Sequence, residues 1–541
     1  MKIKKINIEN WRSIKNLSAE INDFSVIIGQ NNHGKSNIIS ALLFFFGKIK
    51  PNEQDFLDSN IPAKIEISFD NLDENDKTTF QKYLSADGTI KVQKILNNAL
   101  KFSYHGYLQL PQEEWLNPSN SSNYTSRESV SDLPLNDILP QGGRLTKAII
   151  ETAQMEYIEQ NKTELSFNYI LETSNFLGLK TVAQGIFGDV YFIPAIKNAA
   201  DELKPNGSSV FSELYSKILN KLAETNSVYQ NAKQQVSNLV SILNKTDNAG
   251  LDNPNRPTEL NTFETNIAEE LNNWNTSIEV EITPPNIDDV FKVGTKVWVN
   301  DGVKTDVDRK GNGLQRALIF ALIKAYSKIV KNENVASQND AGNRTSSNSS
   351  FFIIEEPELF LHPQAQRDLY QTLKTLSQNN NQVIVTTHSN SFVDIENYKS
   401  LIIAQKTDVI SGTTVKQCST ELFSGLNEKK KINLIYWINP ERSELFFAKK
   451  VILVEGQTDK TILPFLAKKL NVYSNEFTII DCASKDNLPL YIKLLNGFKL
   501  NYIAIYDKDH QTHKGIDAIN SANKSSESIE NVIDLAFGKS I

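Results

Sequence analysis

A glycine-rich turn between an apolar strand and a helix is the feature that most constrains the fold of this chain. The strand-like run Phe24–Ile28 leads into the segment Gly29–Ser36, which has glycine, lysine and hydroxyl residues at every position that a phosphate-binding loop requires. In such a loop, backbone N–H groups and the positive end of the following helix face the phosphates. The residues predicted to bind the nucleotide are Gly29, Asn31, Asn32, Gly34, Lys35, Ser36 and Asn37.

The chemistry of this loop predicts ATP and a magnesium ion as its ligands. Lys35 is expected to reach the β- and γ-phosphates, and the Ser36 hydroxyl is expected to ligate Mg²⁺. A chance match in a Gly/Asn-rich turn is disfavoured because a strand precedes the loop and a helix follows it.

Length and composition limit the class of protein. A chain of 541 residues predicts about three or four compact units, and its 40% apolar and 22% charged residues are typical of a soluble globular protein. Its net charge of −7 means that DNA binding would need a local basic groove or metal-bridged phosphates. Two cysteines, Cys418 and Cys482, are too few for a disulfide framework or a zinc site and favour the cytoplasm. The longest apolar run, Ile38–Phe46, is far shorter than the roughly 20 residues of a membrane helix, so no membrane partner is expected.

Two further apolar strands end in residues that suit ATP hydrolysis. Phe351–Ile354 runs into Glu355 and Glu356, and paired carboxylates at a buried strand end are costly unless a metal or cation compensates them. Glu355 is predicted to hold the Mg²⁺ shell, through water because aspartate is more usual there, and Glu356 is predicted to polarise the attacking water. His388 follows the strand Val383–Thr387 and resembles the switch histidine of ABC ATPases, which contacts the γ-phosphate.

A glycine-containing segment before an apolar helix completes the set. Gly311, Gly313 and Gln315 precede the run Ala317–Ile323 and resemble the ABC signature motif. A signature loop caps the γ-phosphate bound in the opposite subunit, so the resemblance implies a homodimer or a higher homo-oligomer that assembles around ATP. The glutamine of the Q-loop stays open among three candidates, which are Gln81, Gln93 and Gln109.

A second cluster of acids is predicted near the C-terminal end of the sequence. Glu455 follows the strand Val451–Val454, and the strand Tyr502–Tyr506 ends in Asp507 and Asp509. If the two strands lie side by side in a parallel sheet, these three carboxylates converge, and such a cluster requires one or two divalent cations. Two such ions can support phosphodiester cleavage. The candidates for a second metal are Asp459 and Glu530.

The strand-Glu-Gly and strand-Asp-x-Asp halves together resemble the TOPRIM domain. The resemblance implies general acid/base work or metal binding for Glu455, and binding of Mg²⁺ or Mn²⁺ by Asp507 and Asp509. The lysine that stabilises phosphate charge stays open among Lys508, Lys514 and Lys539. Comparable domains continue past the last acid with a helix and a lysine, whereas this sequence ends at Ile541. The expectation is a short or truncated domain, and the completeness of the second metal site depends on which of these holds.

An ABC-type head joined to a TOPRIM domain resembles the OLD family of nucleases. Phe192–Ala195 also resembles a segment of that family, with lysine at Lys197 where arginine is expected. The fold class expected is α/β, with an ABC-type P-loop ATPase head that contains a helical insertion, followed by a C-terminal TOPRIM (Rossmann-like) domain. The expected domains are 1–142 (N-terminal ATPase lobe), 143–285 (helical insertion for dimerisation), 286–428 (C-terminal ATPase lobe), 429–447 (linker helix) and 448–541 (TOPRIM).

Membership of the OLD family would imply an ATP-binding, metal-dependent DNA endonuclease or nickase of anti-phage defence, working beside a helicase or another partner protein. One alternative is an ATP-gated scaffold or sensor in which the TOPRIM domain is degenerate. Another is a DNA-repair ATPase of the SMC-like type. The sequence leaves open whether ATP hydrolysis drives cleavage or ATP binding restrains it.

Overall fold

Two compact units make up the chain. The computed structural model describes residues 1–161, 164–178, 186–195, 211–212, 215–216, 218–219, 226–246, 252–271, 278–282, 297–333, 347, 349–378, 380–406, 408, 411–423, 440–507 and 516–541. One unit combines Met1–Ala195 with Asn339–Ile541, and the other is Ile196–Gln338. Among the described residues, no helix has both the length and the apolar character needed to cross a membrane.

Strands and helices alternate along most of the chain, which confirms the α/β class. The strands are β1 (Lys2–Trp11), β2 (Ile14–Glu20), β3 (Phe24–Ile28), β4 (Ala63–Asp70), β5 (Ile90–Leu96), β6 (Phe102–Pro111), β7 (Phe167–Leu171), β8 (Asp189–Ile193), β9 (Trp298–Asn300), β10 (Lys304–Asp306), β11 (Ser350–Glu355), β12 (Asn381–Thr386), β13 (Leu401–Lys406), β14 (Thr413–Gln417), β15 (Lys450–Val454), β16 (Phe477–Asp481), β17 (Tyr502–Ile505) and β18 (Gly538–Ser540). The helices are α1 (Lys35–Phe45), α2 (Glu74–Thr79), α3 (Arg127–Val130), α4 (Lys147–Gln160), α5 (Ser227–Leu243), α6 (Thr258–Glu270), α7 (Asn312–Glu333), α8 (Pro363–Leu376), α9 (Gln457–Lys469), α10 (Leu488–Gly497) and α11 (Ile516–Glu530).

The first sheet is antiparallel, with the strand order β2-β1-β4-β5-β6-β7. Along β4, buried and half-buried side chains alternate at every residue. This period of two is typical of a sheet that packs one face on a core.

The second sheet has the order β14-β13-β3-β12-β11-β8, and all of its strands except β14 run parallel. Every residue of β3 and β12 is buried, as expected for a parallel sheet covered on both faces. Because β3, β12 and β11 are neighbours and run in one direction, their carboxyl ends meet at the same edge. The glycine-rich loop, His388 and Glu355 therefore lie at that edge.

The helix α1 belongs to a hydrophobic core that includes residues of both sheets. Trp11 stacks on Phe44 with ring centroids 4.9 Å apart, and its indole N–H donates to Ser40 Oγ at 2.8 Å. On the other side, the Phe46 ring lies 5.2 Å from the Phe351 ring of β11. An apolar sequence on all sides of α1 suits this buried position.

A buried lysine forms a hydrogen bond with the C-terminal end of α1. Lys94 of β5 is 1% exposed, and its Nζ donates to the Phe44 carbonyl at 2.6 Å. The ammonium also lies 4.1, 4.2 and 4.7 Å from the ring centroids of Phe44, Phe102 and Tyr104. Burial lowers the pKa of Lys94 to about 7.

The C-terminal sheet is wholly parallel, with the order β16-β15-β17-β18. The expected adjacency of the strands Val451–Val454 and Tyr502–Tyr506 is confirmed, since Val454 pairs with Ile505 at their carboxyl ends. The residues that follow β15 and β17 consequently lie next to each other.

The unit Ile196–Gln338 contains α5, α6, α7 and an antiparallel hairpin of β9 and β10. The hairpin turns at Asn300-Asp301-Gly302, where the Gly302 N–H donates to Asn300 Oδ1 at 3.1 Å. A buried ion pair stabilises α6, because Arg256 donates to both carboxylate oxygens of Glu264 at 2.6 and 2.8 Å.

Other sequence expectations meet the structure only in part. The range 143–285, expected to be helical, contains α4, α5 and α6 but also β7 and β8, which extend the first and second sheets. An apolar run as short as Val190–Ile193 does not distinguish a strand from a helix by periodicity. Most of the linker helix expected at 429–447 lies outside the described residues, as does Lys197.

Candidate functional site

The glycine-rich loop leaves β3 at Gly29 and enters α1 at Lys35. The Lys35 ammonium folds back onto the loop and donates to the carbonyls of Gly29 and Gln30, each at 3.1 Å. Burial lowers the pKa of Lys35, and the nearby Glu356 opposes that shift. Asn31 and Asn32 are exposed.

Asn37 ties the start of α1 to the first sheet. Its side-chain amide donates to Ser13 Oγ at 2.6 Å, and Ser13 Oγ shares a 2.7 Å hydrogen bond with Thr413 Oγ1. Asn37 therefore holds the loop in place through these contacts, in addition to the nucleotide contact that the sequence predicts for it.

Glu355 and Ser36 are brought together at the sheet edge. Glu355 ends β11, and its carboxylate forms a hydrogen bond with the Ser36 side chain. Burial raises the pKa of Glu355, whereas the Ser36 hydrogen bond lowers it. A partly buried carboxylate beside a serine hydroxyl is a donor set that suits Mg²⁺. The residues present therefore fit the ion that the sequence predicts.

Glu356 and His388 face each other across β11 and β12. Glu356 has a φ of 43°, a left-handed conformation that non-glycine residues rarely adopt, and its N–H donates to the Thr386 carbonyl at 2.8 Å. The His388 Nε2 lies 3.6 Å from Glu356 Oε1. Burial and the nearby Lys35 lower the pKa of His388, so the imidazole is mainly neutral at pH 7. Backbone strain of this kind is common where side chains are held for chemistry.

The signature-like residues lie at the start of α7 in the unit Ile196–Gln338. Gly311 is exposed directly before the helix, and Gly313 is in its first turn. Gln315 is 2% exposed, and its amide donates to the carbonyls of Val307 and Lys310 at 2.8 and 2.9 Å. Its side chain thus holds the loop before α7. Of the three Q-loop candidates, Gln81 is exposed, Gln93 donates to the Tyr107 hydroxyl, and Gln109 accepts from the Ala86 N–H.

At the edge of the C-terminal sheet, Glu455 and Asp507 meet. Glu455 follows β15, and its Oε1 accepts a hydrogen bond from the Asp507 N–H at 2.8 Å. Asp459 Oδ2 accepts from the Gly456 N–H at 3.3 Å and so caps α9. Glu530 Oε1 accepts from the Tyr506 hydroxyl at 3.5 Å. Capping and a tyrosine contact account for the positions of Asp459 and Glu530.

Part of the expected metal site lies outside the residues that the structure describes. Asp509, Lys508 and Lys514 lie outside the described residues, whereas Lys539 is exposed in β18 and pairs with Ile503. Within the described part of the chain, no group of three His, Cys, Asp or Glu side chains is close enough to hold a metal ion. Glu455 and Asp507 supply the oxygen donors that Mg²⁺ and Mn²⁺ prefer, so the pair fits a divalent cation.

Comparison with protein families assigns a domain type to the region around each site. The family of AAA ATPase domains matches residues 1–393, and the TOPRIM domain of overcoming lysogenization defect (OLD) protein-like proteins matches residues 446–509. This chain belongs to the family of AAA ATPase domains and carries an OLD-like TOPRIM domain. An AAA ATPase domain and a TOPRIM nuclease domain are therefore joined in one polypeptide, and these domain types use a nucleotide and a divalent metal.

Named nucleases are among the relatives of this chain. The Old nuclease of Escherichia phage P2 is 25% identical over 521 residues, which cover 94% of this chain and 77% of that protein. The OLD nuclease of Thermus scotoductus is 28% identical over 206 residues, which cover 37% of this chain and 36% of that protein. The Endonuclease GajA of Bacillus cereus is 29% identical over 189 residues, or 31% of this chain and 27% of that protein.

The sequence did not indicate three side chains that contact the residues of these sites. Glu358 is 8% exposed, and its Oε1 accepts from the His388 N–H at 2.7 Å, so it holds the histidine backbone. Asp481 ends β16, is 1% exposed and accepts from the Gln457 amide at 2.8 Å. An acid at the end of an apolar strand was the available signal for Asp481, as it was for Glu455. For Lys485, whose Nζ donates to the Asp507 carbonyl, the sequence carries no distinct signal.

The nucleotide loop and the TOPRIM domain of this chain are in direct contact. The Gln30 side-chain amide donates to the Phe447 carbonyl at 3.3 Å, three residues before β15 begins. The turn Pro440–Phe446 contacts Asn390–Phe392, which follow His388. The glycine-rich loop and the residues after His388 therefore both contact the segment that leads into β15, the strand that precedes Glu455.

Proposed function

We propose that this chain is an ATP-binding, Mg²⁺- or Mn²⁺-dependent DNA endonuclease or nickase of anti-phage defence. The observation that carries the proposal is the meeting of Glu455 and Asp507 at neighbouring strand ends of a TOPRIM sheet. The similarity to the Old nuclease of phage P2 over 94% of this chain supports it. The contact between Gln30 and Phe447 gives the ATP site a direct route to the nuclease site.

When ATP binds, the Lys35 ammonium exchanges its contacts with the loop for contacts with the phosphates. The ammonium leaves the carbonyls of Gly29 and Gln30 and pairs with the β- and γ-phosphates. Glu356 orients the attacking water, and the neutral His388 beside it donates or accepts a hydrogen bond at the γ-phosphate. Ser36 and Glu355 would hold a Mg²⁺ ion, which would supply neutralisation of phosphate charge.

At the nuclease site, Glu455 and Asp507 divide the work. Glu455 keeps one oxygen on the Asp507 N–H, and its other oxygen takes the proton from the attacking water. Asp507 and Asp509 hold the divalent cation, which stabilises the leaving oxygen when bound. Asp459 and Glu530 are the remaining candidates for a second ion.

The domain organisation and assembly belong to the same proposal. The ATPase lobes occupy 1–142 and 286–428 and include β7 and β8, which extend their sheets. The rest of 143–285 is the dimerisation segment, 429–447 the linker and 448–541 the nuclease domain. A homodimer or higher homo-oligomer forms when the segment with Gly311 and Gly313 caps ATP on a second copy. DNA is the substrate, and a helicase or another defence protein is the partner.

Cleavage of supercoiled plasmid tests the proposal. Purified protein is incubated with Mg²⁺ or Mn²⁺, with and without ATP, beside the variants Asp507→Ala and Lys35→Ala. We expect nicked or linear DNA from the native protein and none from Asp507→Ala, with ATP binding retained in that variant. Absence of cutting under every metal and nucleotide condition would instead favour a scaffold or sensor whose TOPRIM domain is inactive.

A further inference from the structure

Lys485 is buried beside the nuclease site, although burial of a lysine costs desolvation free energy. It begins the turn Lys485–Asn487 after β16 and is 7% exposed. Its ammonium donates to the backbone carbonyl of Asp507 and lies 5.3 Å from the Tyr506 ring centroid. Burying an ammonium costs free energy unless acceptors replace water, and an apolar residue would fill the same space without that cost. The lysine is therefore explained better by what it holds than by packing.

The backbone of Asp507 is fixed on both sides by side chains from neighbouring strand ends. Its N–H donates to Glu455, which follows β15, and its carbonyl accepts from Lys485, which follows β16. The Asp507 side chain itself is exposed, so packing does not set its direction. With the peptide groups on both sides fixed, the rotamers open to the carboxylate are limited by the backbone.

We propose that Lys485 is a positioning residue of the nuclease site, which acts by fixing the Asp507 backbone so that the carboxylate is directed at the divalent cation. This inference rests on the proposed function, because it assigns Asp507 to metal binding. Partners that orient a metal ligand typically change metal affinity or activity by about 10–100-fold when they are removed.

Direct Mn²⁺ binding to the full chain, without nucleotide or DNA, tests this role. Free Mn²⁺ is measured by electron paramagnetic resonance, and the binding that Asp507→Ala removes defines the nuclease site. Lys485→Met is expected to raise the dissociation constant of that site about 10–100-fold, and Lys485→Arg, which keeps a cationic donor, is expected to recover most of the affinity. Lys524→Met, an exposed lysine of α11, is the matched control and is expected to bind Mn²⁺ as the native chain does.

Cleavage at increasing Mn²⁺ separates positioning from a general structural defect. Lys485→Met is expected to need more Mn²⁺ for half-maximal cleavage and to recover its rate at saturation, while thermal unfolding shows that it is folded. If that variant does not fold, Lys485→Gln, whose amide is too short to reach the Asp507 carbonyl, takes its place with the same expected loss. Native Mn²⁺ affinity in a folded Lys485→Met or Lys485→Gln protein would overturn the inference. Absence of Asp507-dependent Mn²⁺ binding in the native chain would instead overturn the proposed function.

Discussion

Replacing Gly34 with alanine is expected to weaken nucleotide binding by roughly 30-fold or more, whereas the same change at Gly47 is expected to leave binding intact. The two glycines lie at opposite ends of α1, and both have left-handed backbones, with φ of 88° and 73°. They differ in their surroundings. A Cβ on Gly34 would lie 2.2 Å from Thr413 Oγ1 and 2.7 Å from Thr413 Cγ2, while a Cβ on Gly47 would meet nothing within 4 Å.

The magnitude follows from two terms. Alanine in the left-handed region costs about 1–2 kcal/mol, and this term applies to both glycines. At Gly34 the overlap with Thr413 adds about 1–3 kcal/mol, as is typical of overpacking, because Ser13 and the pairing of β14 with β13 hold Thr413 in place. The sum of about 2–5 kcal/mol corresponds to a loss of roughly 30-fold or more in ATP affinity. At Gly47 the strain lowers the free energy of unfolding and leaves the ATP affinity unchanged.

Titration with a fluorescent ATP analogue measures the affinity, and urea unfolding measures the stability of both variants. The expected pattern is weak binding by Gly34→Ala and native binding by Gly47→Ala, with Gly47→Ala less stable than the native chain by about 1–2 kcal/mol. An affinity of Gly34→Ala within threefold of the native value would refute the close approach of Thr413 to the loop. An equal loss of affinity in both variants would show that strain in α1, and not the overlap, controls binding.

Three other perturbations test separate parts of the structure. Gln30→Ala removes the hydrogen bond to Phe447, worth about 1 kcal/mol, and is expected to reduce the effect of ATP on the cleavage rate by about fivefold; an unchanged effect would exclude this contact as a coupling route. Glu356→Gln is expected to keep ATP binding and to slow phosphate release by about 100-fold or more, and native release would remove Glu356 from catalysis. Lys94→Met is expected to raise the free energy of unfolding at pH 7 by about 2–4 kcal/mol, since the folded chain lowers the Lys94 pKa from 10.5 to about 7. Between pH 10.5 and 7 the Lys94 side chain is protonated in the unfolded chain but mainly neutral in the folded chain, which favours unfolding as the pH falls. The stability gained by Lys94→Met is therefore expected to shrink as the pH rises from 7 to 10.5. A gain that does not vary with pH would contradict the lowered pKa of Lys94.

Motifs with fixed spacing allowed both the ATP site and the nuclease site to be predicted from the sequence. The loop Gly29–Ser36 and the acids after apolar strands specify local structure, and the parallel direction of the strands then brings the acids to one edge. The meeting of Glu355 with Ser36, and of Glu455 with Asp507, follows from that geometry. Local sequence and sheet topology therefore contain most of the information for these two sites.

Contacts that join distant segments were beyond the reach of the sequence. Lys485 reaches Asp507 only because β16 and β17 flank β15, and no spacing rule encodes that contact. β8 reads as part of a helical segment but pairs with β11, since burial in the sheet determines its structure more than its own propensity does. The contact of Gln30 with Phe447 likewise depends on how the TOPRIM domain packs beside the loop.

Metal-dependent cleavage of an end-labelled DNA duplex by Glu455→Gln, beside Glu476→Gln, tests the central claim most directly. Both changes remove one carboxylate charge from the same domain, but Glu476 forms a surface ion pair with Lys449 at 2.7 Å, whereas Glu455 holds the Asp507 N–H. The account predicts a rate reduced by about 100-fold or more for Glu455→Gln and a native rate for Glu476→Gln. Native cleavage by Glu455→Gln would place the DNA-cutting chemistry elsewhere and contradict the account.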